Sequence, residues 1–179
     1  MPRLSYVHGA SDTPFIGDTI GVHFDRIVER YGERDALIVR HQQVSWTYRE
    51  LKQRVDAFAA GLLALGLKRG DRIGIWSPNN AEWVLTQFAT AKAWLVLVNI
   101  NPAYRLAELE FALNKAGCAA LITAAQFKTS NYLAMLGGGC RSPKQSMAET
   151  IGVHGEKAHK STCRRNAEGD RYQPPKNSG

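Results

Sequence analysis

The chain has 179 residues, with 23 Lys+Arg against 16 Asp+Glu, a formal charge of +7, and 44% hydrophobic residues. That is room for one ordinary domain and too much apolar content for wholesale disorder. Its longest apolar stretch, 93–98, is far short of the roughly twenty residues needed to span a bilayer as a helix.

Taken in chain order, 20–31 places Ile20, Phe24, Ile27, Val28 and Tyr31 at helical spacing, with Thr19 as cap and Gly32 as stop. Residues 36–39 and 44–47 read as two strands of a hairpin turned at 40–43. Thr47-Tyr-Arg-Glu50 is a capping box, and the helix after it carries Leu51, Val55, Phe58, Ala59, Leu62 and Leu65 on one face. Gly66 stands where a left-handed terminating residue is wanted. A strand follows at 72–76. Asn80 then caps a helix over 81–92 that packs through Trp83, Val84, Phe88 and Ala91.

The run 95–98 is continuous and apolar, as expected for a strand covered on both faces. After a turn at 99–102, a helix over 105–116 points Leu106, Leu109, Leu113 and Ala116 inward and ends at Gly117. A buried strand occupies 119–123, with Cys118 just before it as a small core residue, and a further helix is expected over 125–136. Strands alternating with helices of about a dozen residues are the signature of βαβ crossovers and a parallel sheet with helices on both faces. The fold class is α/β.

The pattern breaks at Leu136. Sixteen leucines precede Gly137 and none follow it, while 137–179 holds eight Lys+Arg against four Asp+Glu. The expected organisation is therefore a structured unit over 1–136 and a disordered basic tail over 137–179, with a shift of reading frame near codon 137 as the origin of the tail.

Chemical motifs are sparse. Ligands of open α/β sheets lie off the carboxyl ends of the strands, which makes Ser77, Asn79, Asn80, Asn99 and Asn101 the candidates. For each of them turn and cap chemistry is favoured over ligand binding. No Walker loop and no Gly-x-Gly-x-x-Gly turn is present. Cys140, His154, His159 and Cys163 are permitted zinc ligands, but Cys140 has no close partner cysteine, and no metal is expected. The histidines His8, His23 and His41 stand alone. Three cysteines without framework spacing and a start without an apolar signal run lead to the expectation of a reduced, cytoplasmic protein. The modest charge of the first 136 residues implies no nucleic-acid partner.

Three stretches carry a resemblance. They are Trp46-Thr-Tyr-Arg-Glu-Leu51, Gly70-Asp-Arg-Ile-Gly-Ile-Trp-Ser-Pro-Asn79 and Ala91-Lys-Ala-Trp-Leu-Val-Leu-Val-Asn-Ile-Asn-Pro102, the last running into Tyr104-Arg105 and Glu108-Leu109. In this order and spacing, over roughly 5–136, the chain resembles the N-terminal segment of AMP-forming acyl-CoA synthetases, the adenylate-forming ligases, with bacterial fatty-acid–CoA ligases as the nearest likeness. The resemblance implies a partial three-layer subdomain of the ligase N-terminal domain. It also implies a family chemistry in which a carboxylic acid, ATP with magnesium and coenzyme A give acyl-CoA, AMP and pyrophosphate. The family's phosphate loop and C-terminal lysine have no counterpart in this sequence. No catalytic, cofactor-binding or metal residue is therefore carried over, no cofactor is expected for this chain itself, and the chain alone is expected to be inactive. The alternative is a small stand-alone α/β binding or regulatory module. One departure falls inside the matched region: Trp94 stands where the family usually has Gly, which lets helix meet strand closely, so the indole implies either a local rearrangement or relaxed constraint.

Overall fold

The computed structural model describes residues 9, 12–13, 15–139, 149–154 and 157–161. Helix α1 (Ile20–Tyr31) begins at Thr19, whose Oγ1 accepts the Val22 N–H at 3.4 Å. Strands β1 (Asp35–Val39) and β2 (Val44–Thr47) form an antiparallel ribbon around a 3-10 turn at Arg40–Gln42. Helix α2 (Tyr48–Ala64) starts in the expected capping box: Thr47 Oγ1 accepts the Glu50 N–H at 3.2 Å, and the Glu50 carboxylate accepts the Thr47 N–H at 2.8 Å. Such a box satisfies two orphan donors at once. Gly66, at φ +92°, ends the helix in the left-handed region as the sequence predicts.

Strands β3 (Arg72–Trp76), β4 (Val96–Ile100), β5 (Cys118–Thr123) and β8 (Glu149–His154) are parallel, and β9 (Lys157–Ser161) runs antiparallel to β8. The sheet order is β4-β3-β5-β8-β9. Helix α3 (Ala81–Lys92) links β3 to β4, and α4 (Leu106–Ala116) carries the chain back past β3 to β5.

Two apolar clusters show the three layers. Ile73 and Ile75 of β3, with Ala120 and Ile122 of β5, meet Phe24, Val28, Leu51, Val55, Leu62 and Ala89 from α1, α2 and α3. On the opposite face Trp76, Ile100 and Leu121 meet Leu109 of α4 and Tyr132. Successive residues of β3 thus feed opposite layers, the period of two expected of a strand buried on both sides. Gly74 lets the second layer approach. A Cβ there would lie 2.9 Å from both Ile100 Cδ1 and Leu113 Cδ2.

Several expectations are corrected. The continuous run at 95–98 is not covered on both faces. Strand β4 begins at Val96, lies at the sheet edge and leaves Val96 47% exposed. An apolar run reports hydrophobicity and not position in the strand order, which connectivity sets. The inward face of α3 is also rotated from the expected one. Its fully buried residues are Ala81, Thr86, Ala89 and Thr90, with Trp83 and Phe88 only partly covered. Two threonines can be buried because each hydroxyl donates to the carbonyl four residues back, Thr86 to Glu82 O at 2.7 Å and Thr90 to Thr86 O at 2.8 Å.

The single helix expected over 125–136 is a small hairpin followed by a helix. Strands β6 (Gln126–Phe127) and β7 (Ser130–Asn131) pair antiparallel, with Lys128 at φ +52° in the turn, and α5 (Tyr132–Gly139) follows. Asn131 Oδ1 accepts the Ala134 N–H at 2.9 Å and so caps α5. A Lys-Thr turn lacks the Asn-Gly chemistry by which such hairpins are read from sequence. Most of the tail expected to be disordered lies outside the described residues. Within it, the backbone of β8 pairs with β5.

Candidate functional site

The carboxyl ends of β3 and β4 form the place where a ligand would lie in such a sheet, because α3 and α4 leave from them to opposite faces. The sequence candidates gather there, but their polar atoms serve the turns. Ser77 is buried and its Oγ donates to Pro78 O at 3.0 Å while accepting from Asn80 Nδ2 at 3.0 Å. Asn80 Oδ1 accepts the Trp83 N–H at 2.8 Å, capping α3. Asn101 Oδ1 accepts the Ala103 N–H at 2.9 Å, an Asx turn. Asn79 and Asn99 are exposed.

Sequence reasoning missed the residue that reaches in from the hairpin. Gln42 Oε1 accepts the Ala81 N–H at 2.7 Å and Gln42 Nε2 donates to Glu82 Oε2 at 2.7 Å, joining the ribbon to the start of α3. No local pattern links positions so far apart. Below the crevice Trp76 and Tyr132, both fully buried, stack with ring centres 3.6 Å apart. The Tyr132 hydroxyl donates to Pro102 O, and burial pushes its pKa above the ordinary value. Trp76 Nε1 has no partner among the described residues. Cys118 is buried at the start of β5. Burial raises its thiol pKa, with Arg72 opposing, so its place is that of an inert core residue.

A second polar constellation sits on the helical layer. Lys92 and Lys52 bridge Asp25 and Asp56: Lys92 Nζ lies 2.8 Å from Asp25 Oδ1 and also contacts Asp56, and Lys52 Nζ lies 2.9 Å from Asp25 and 2.6 Å from Asp56. Burial works against ionisation of both carboxyls, but hydrogen bonds from the two lysines outweigh it and hold both below the usual carboxylate range. At Lys52 burial is likewise outweighed, by Asp56 and Asp25, and its pKa is raised. Every member has a partner of opposite sign, so the cluster ties α1, α2 and α3 together and leaves no group poised for chemistry.

The backbone at Trp94 accounts for the glycine that the family usually has there. It adopts φ +59°, a left-handed conformation that glycine takes without penalty. The rearrangement weighed for an indole is not called for, because the side chain lies outside the core. The indole is 53% exposed, and the Arg69 guanidinium lies 4.4 Å from its ring centre. The Trp94 carbonyl accepts the Gly70 N–H at 2.8 Å, which fixes the turn before β3 against the start of β4.

ATP with magnesium calls for cationic and carboxylate groups converging on one cleft. The candidates Ser77, Asn80 and Asn101 offer only amide and hydroxyl groups engaged in turns, and these three do not fit that pair. The described residues contain no cluster of three His, Cys, Asp or Glu that could hold a metal. Of the four tail residues weighed as zinc ligands, Cys140 and Cys163 lie outside the described residues, while His154 and His159 are placed only as backbone positions on β8 and β9. No helix among the described residues is long and apolar enough to cross a membrane.

A mostly parallel sheet with helices on both faces makes this a three-layer α/β domain. The family model of the AMP-binding enzyme matches residues 24–178, and the chain belongs to that family, the adenylate-forming ligases. It is 42% identical over 137 residues to the mitochondrial medium-chain acyl-CoA ligase ACSF2 of Mus musculus, covering 76% of this chain and 22% of the relative. Against the Danio rerio ACSF2 the figures are 46% over 155 residues, 86% and 25%. The N-terminal domain of FACL13 from Mycobacterium tuberculosis superposes with a TM-score of 0.68 at 24% identity, over 76% of this chain and 34% of that one, a likeness of fold. The chain thus spans about a quarter or less of the length of these curated relatives.

These relatives overturn the expected cytoplasmic location, since those in mouse and zebrafish are mitochondrial. The physical reason is simple. Three cysteines without framework spacing fit any reducing compartment and do not distinguish cytoplasm from a mitochondrial interior.

Proposed function

We propose that this chain is the leading part of an AMP-forming acid–CoA ligase acting on medium-chain or other fatty acids, and that it does not form an adenylate by itself. The observation that carries the ligase reading is the 46% identity over 155 residues to a medium-chain acyl-CoA ligase. Lack of activity in isolation is supported by the carboxyl-end crevice, where the polar atoms of Ser77, Asn80 and Asn101 are engaged in turns. ATP, magnesium and coenzyme A would belong to the whole ligase. The names of the relatives support a mitochondrial setting.

The same reading treats 1–136 as the ligase part and 137–179 as a separate basic tail. The loss of leucine after Leu136 supports that boundary, whereas the family match reaching residue 178 and the pairing of β8 with β5 weigh against an accidental origin. Sequencing the gene from codon 125 decides it: a second frame that continues the leucine-rich pattern supports a frameshift, and its absence refutes one.

Activity is tested by ATP–pyrophosphate exchange with a medium-chain acid. No exchange is expected from the 179-residue chain. Exchange is expected when it is co-expressed with the part of the zebrafish ligase that follows the matched segment. Exchange by the chain alone would refute the proposed inactivity, and none on complementation would count against the ligase reading.

A further inference from the structure

Helix α4 is packed on one side only. Leu109 and Leu113 join the layer over Trp76, whereas Phe111 on the outer side is 65% exposed. Around Phe111 lies an open groove of about 540 Å³, lined among others by Ala107, Glu108, Ala112, Lys115 and Ala116. A single exposed phenylalanine is ordinary. The order of its neighbours is not. About the midpoint between Phe111 and Ala112 the stripe is self-complementary: Ala107 mirrors Ala116, Glu108 mirrors Lys115, and Phe111 mirrors Ala112. Residues three, four and seven apart in a helix share a face, so these six stand together. Glu108 and Lys115, about 10 Å apart along the axis, carry opposite charges, and neither joins an ion pair among the described residues. Glu108 Oε2 accepts the Arg105 N–H at 2.7 Å, and Lys115 Nζ lies 5.4 Å from the Phe111 ring centre, which holds both charges on this face.

We propose that this face of α4 binds the same face of a second copy of the chain, the two helices running antiparallel about a twofold axis between Phe111 and Ala112. That axis sets Glu108 against the partner's Lys115, and Lys115 against the partner's Glu108. Each Phe111 ring lies over the partner's Ala112. Ala107 meets the partner's Ala116, where methyl groups let the two backbones approach. A twofold contact requires a patch that is complementary to itself, and this stripe is one. A parallel pairing would face Glu108 with Glu108 and Lys115 with Lys115, which like-charge repulsion disfavours. An apolar peptide on the same face would strip water from both charges and offer neither a counter-charge. The contact is about one helix long, α4 having 11 residues, so association in the micromolar range or weaker is expected, as for interfaces below standard size. The inference uses only residues of this chain and does not rest on the ligase reading above.

Sedimentation equilibrium of the full 179-residue chain, from low to high micromolar concentration, should show monomer and dimer in exchange. Phe111→Glu, which removes the central apolar contact, and Lys115→Glu, which sets a carboxylate against the partner's Glu108, should each weaken the dimer at least about tenfold. Neither should lower the urea midpoint of the dilute chain, because both side chains lie outside the core. Mixing tests the pairing itself. Lys115→Glu and Glu108→Lys chains, each monomeric alone, should associate one to one, since the mixed pair restores both opposite-charge contacts. A misfolded chain cannot give that rescue. Glu108→Gln keeps the cap of α4 and should weaken the dimer less than Lys115→Glu. A chain that stays monomeric throughout, a dimer that Phe111→Glu leaves intact, or folded charge variants that do not associate on mixing would each overturn the proposal. So would a lower urea midpoint in Phe111→Glu, which marks a face covered within the chain. Capture of the chain as a monomer by the following part of the Danio rerio ligase, abolished by Phe111→Glu, would overturn it too and assign the face to that part.

Discussion

Replacing Lys92 by Met removes the ammonium shared by Asp25 and Asp56 while keeping an unbranched side chain in its place beside Gly21. Two carboxylates are then left with Lys52 as their only cation in the cluster. Exposed ion pairs contribute at most about 1 kcal/mol each, and breaking a fully buried pair costs about 3–5 kcal/mol. Here the lysine side chain is 16% exposed and the two aspartates 37% and 42%, so solvent screens the acidic side and the loss falls between those limits, at about 1–2 kcal/mol. Urea unfolding at pH 7 should show that loss as a lower midpoint with an unchanged slope.

The pH dependence follows from the two carboxyls. Their pKa values are lowered in the folded chain, so their stabilising effect is fully present above the unfolded value of about 4 and disappears as pH falls through the folded values. The gap between the native chain and Lys92→Met should therefore be constant from pH 7 to about 5 and close in acid. A double-mutant cycle with Asp56→Asn should give a coupling of at least about 0.5 kcal/mol. Additive losses, or a gap that does not narrow as the pH falls into the acid range, would refute the reasoning.

At position 94 the left-handed backbone makes glycine the better small residue, so Trp94→Gly should exceed Trp94→Ala in stability by about 1 kcal/mol in the same urea assay. Gln42→Ala removes both bonds that hold the ribbon to α3 and should cost about 1–2 kcal/mol. Faster hydrogen exchange at the start of α3 should accompany it. Tyr132→Ala empties the stack under Trp76 and should cost about 3–5 kcal/mol, whereas Tyr132→Phe loses only the Pro102 hydrogen bond, about 1 kcal/mol.

Much of the fold was legible where local chemistry decides the structure. The caps at Thr19, Thr47 and Asn80, and the left-handed glycines at 66 and 117, mark helix ends by hydrogen bonding within a few residues. What could not be read depends on partners distant in sequence. The edge position of β4 follows from α4 carrying the chain back across β3, which no run of Val and Leu encodes. The burial of Thr86 and Thr90 depends on carbonyls that quench their hydroxyls, so a hydrophobicity pattern passes over them. The candidate positions at Ser77, Asn80 and Asn101 were located correctly in space because the βαβ pattern sets where strands end. The Lys92–Asp25 bridge, spanning 67 positions, has no sequence signature.

The two faces of the sheet differ in when they can be completed as the chain leaves the ribosome. Every residue of the cluster formed with α1, α2 and α3 has been made once Ile122 is in place. The opposite face must wait for Tyr132, whose ring covers Trp76 and whose hydroxyl ties α5 to Pro102. A nascent chain paused between these points would carry one finished layer and one bare face with the Trp76 indole uncovered. Exposed apolar surface of that kind is what chaperones bind and what drives aggregation. The interval between the emergence of Ile122 and that of Tyr132 from the ribosome thus becomes a physical variable for this protein, since any delay within it prolongs the time in which Trp76 is unprotected.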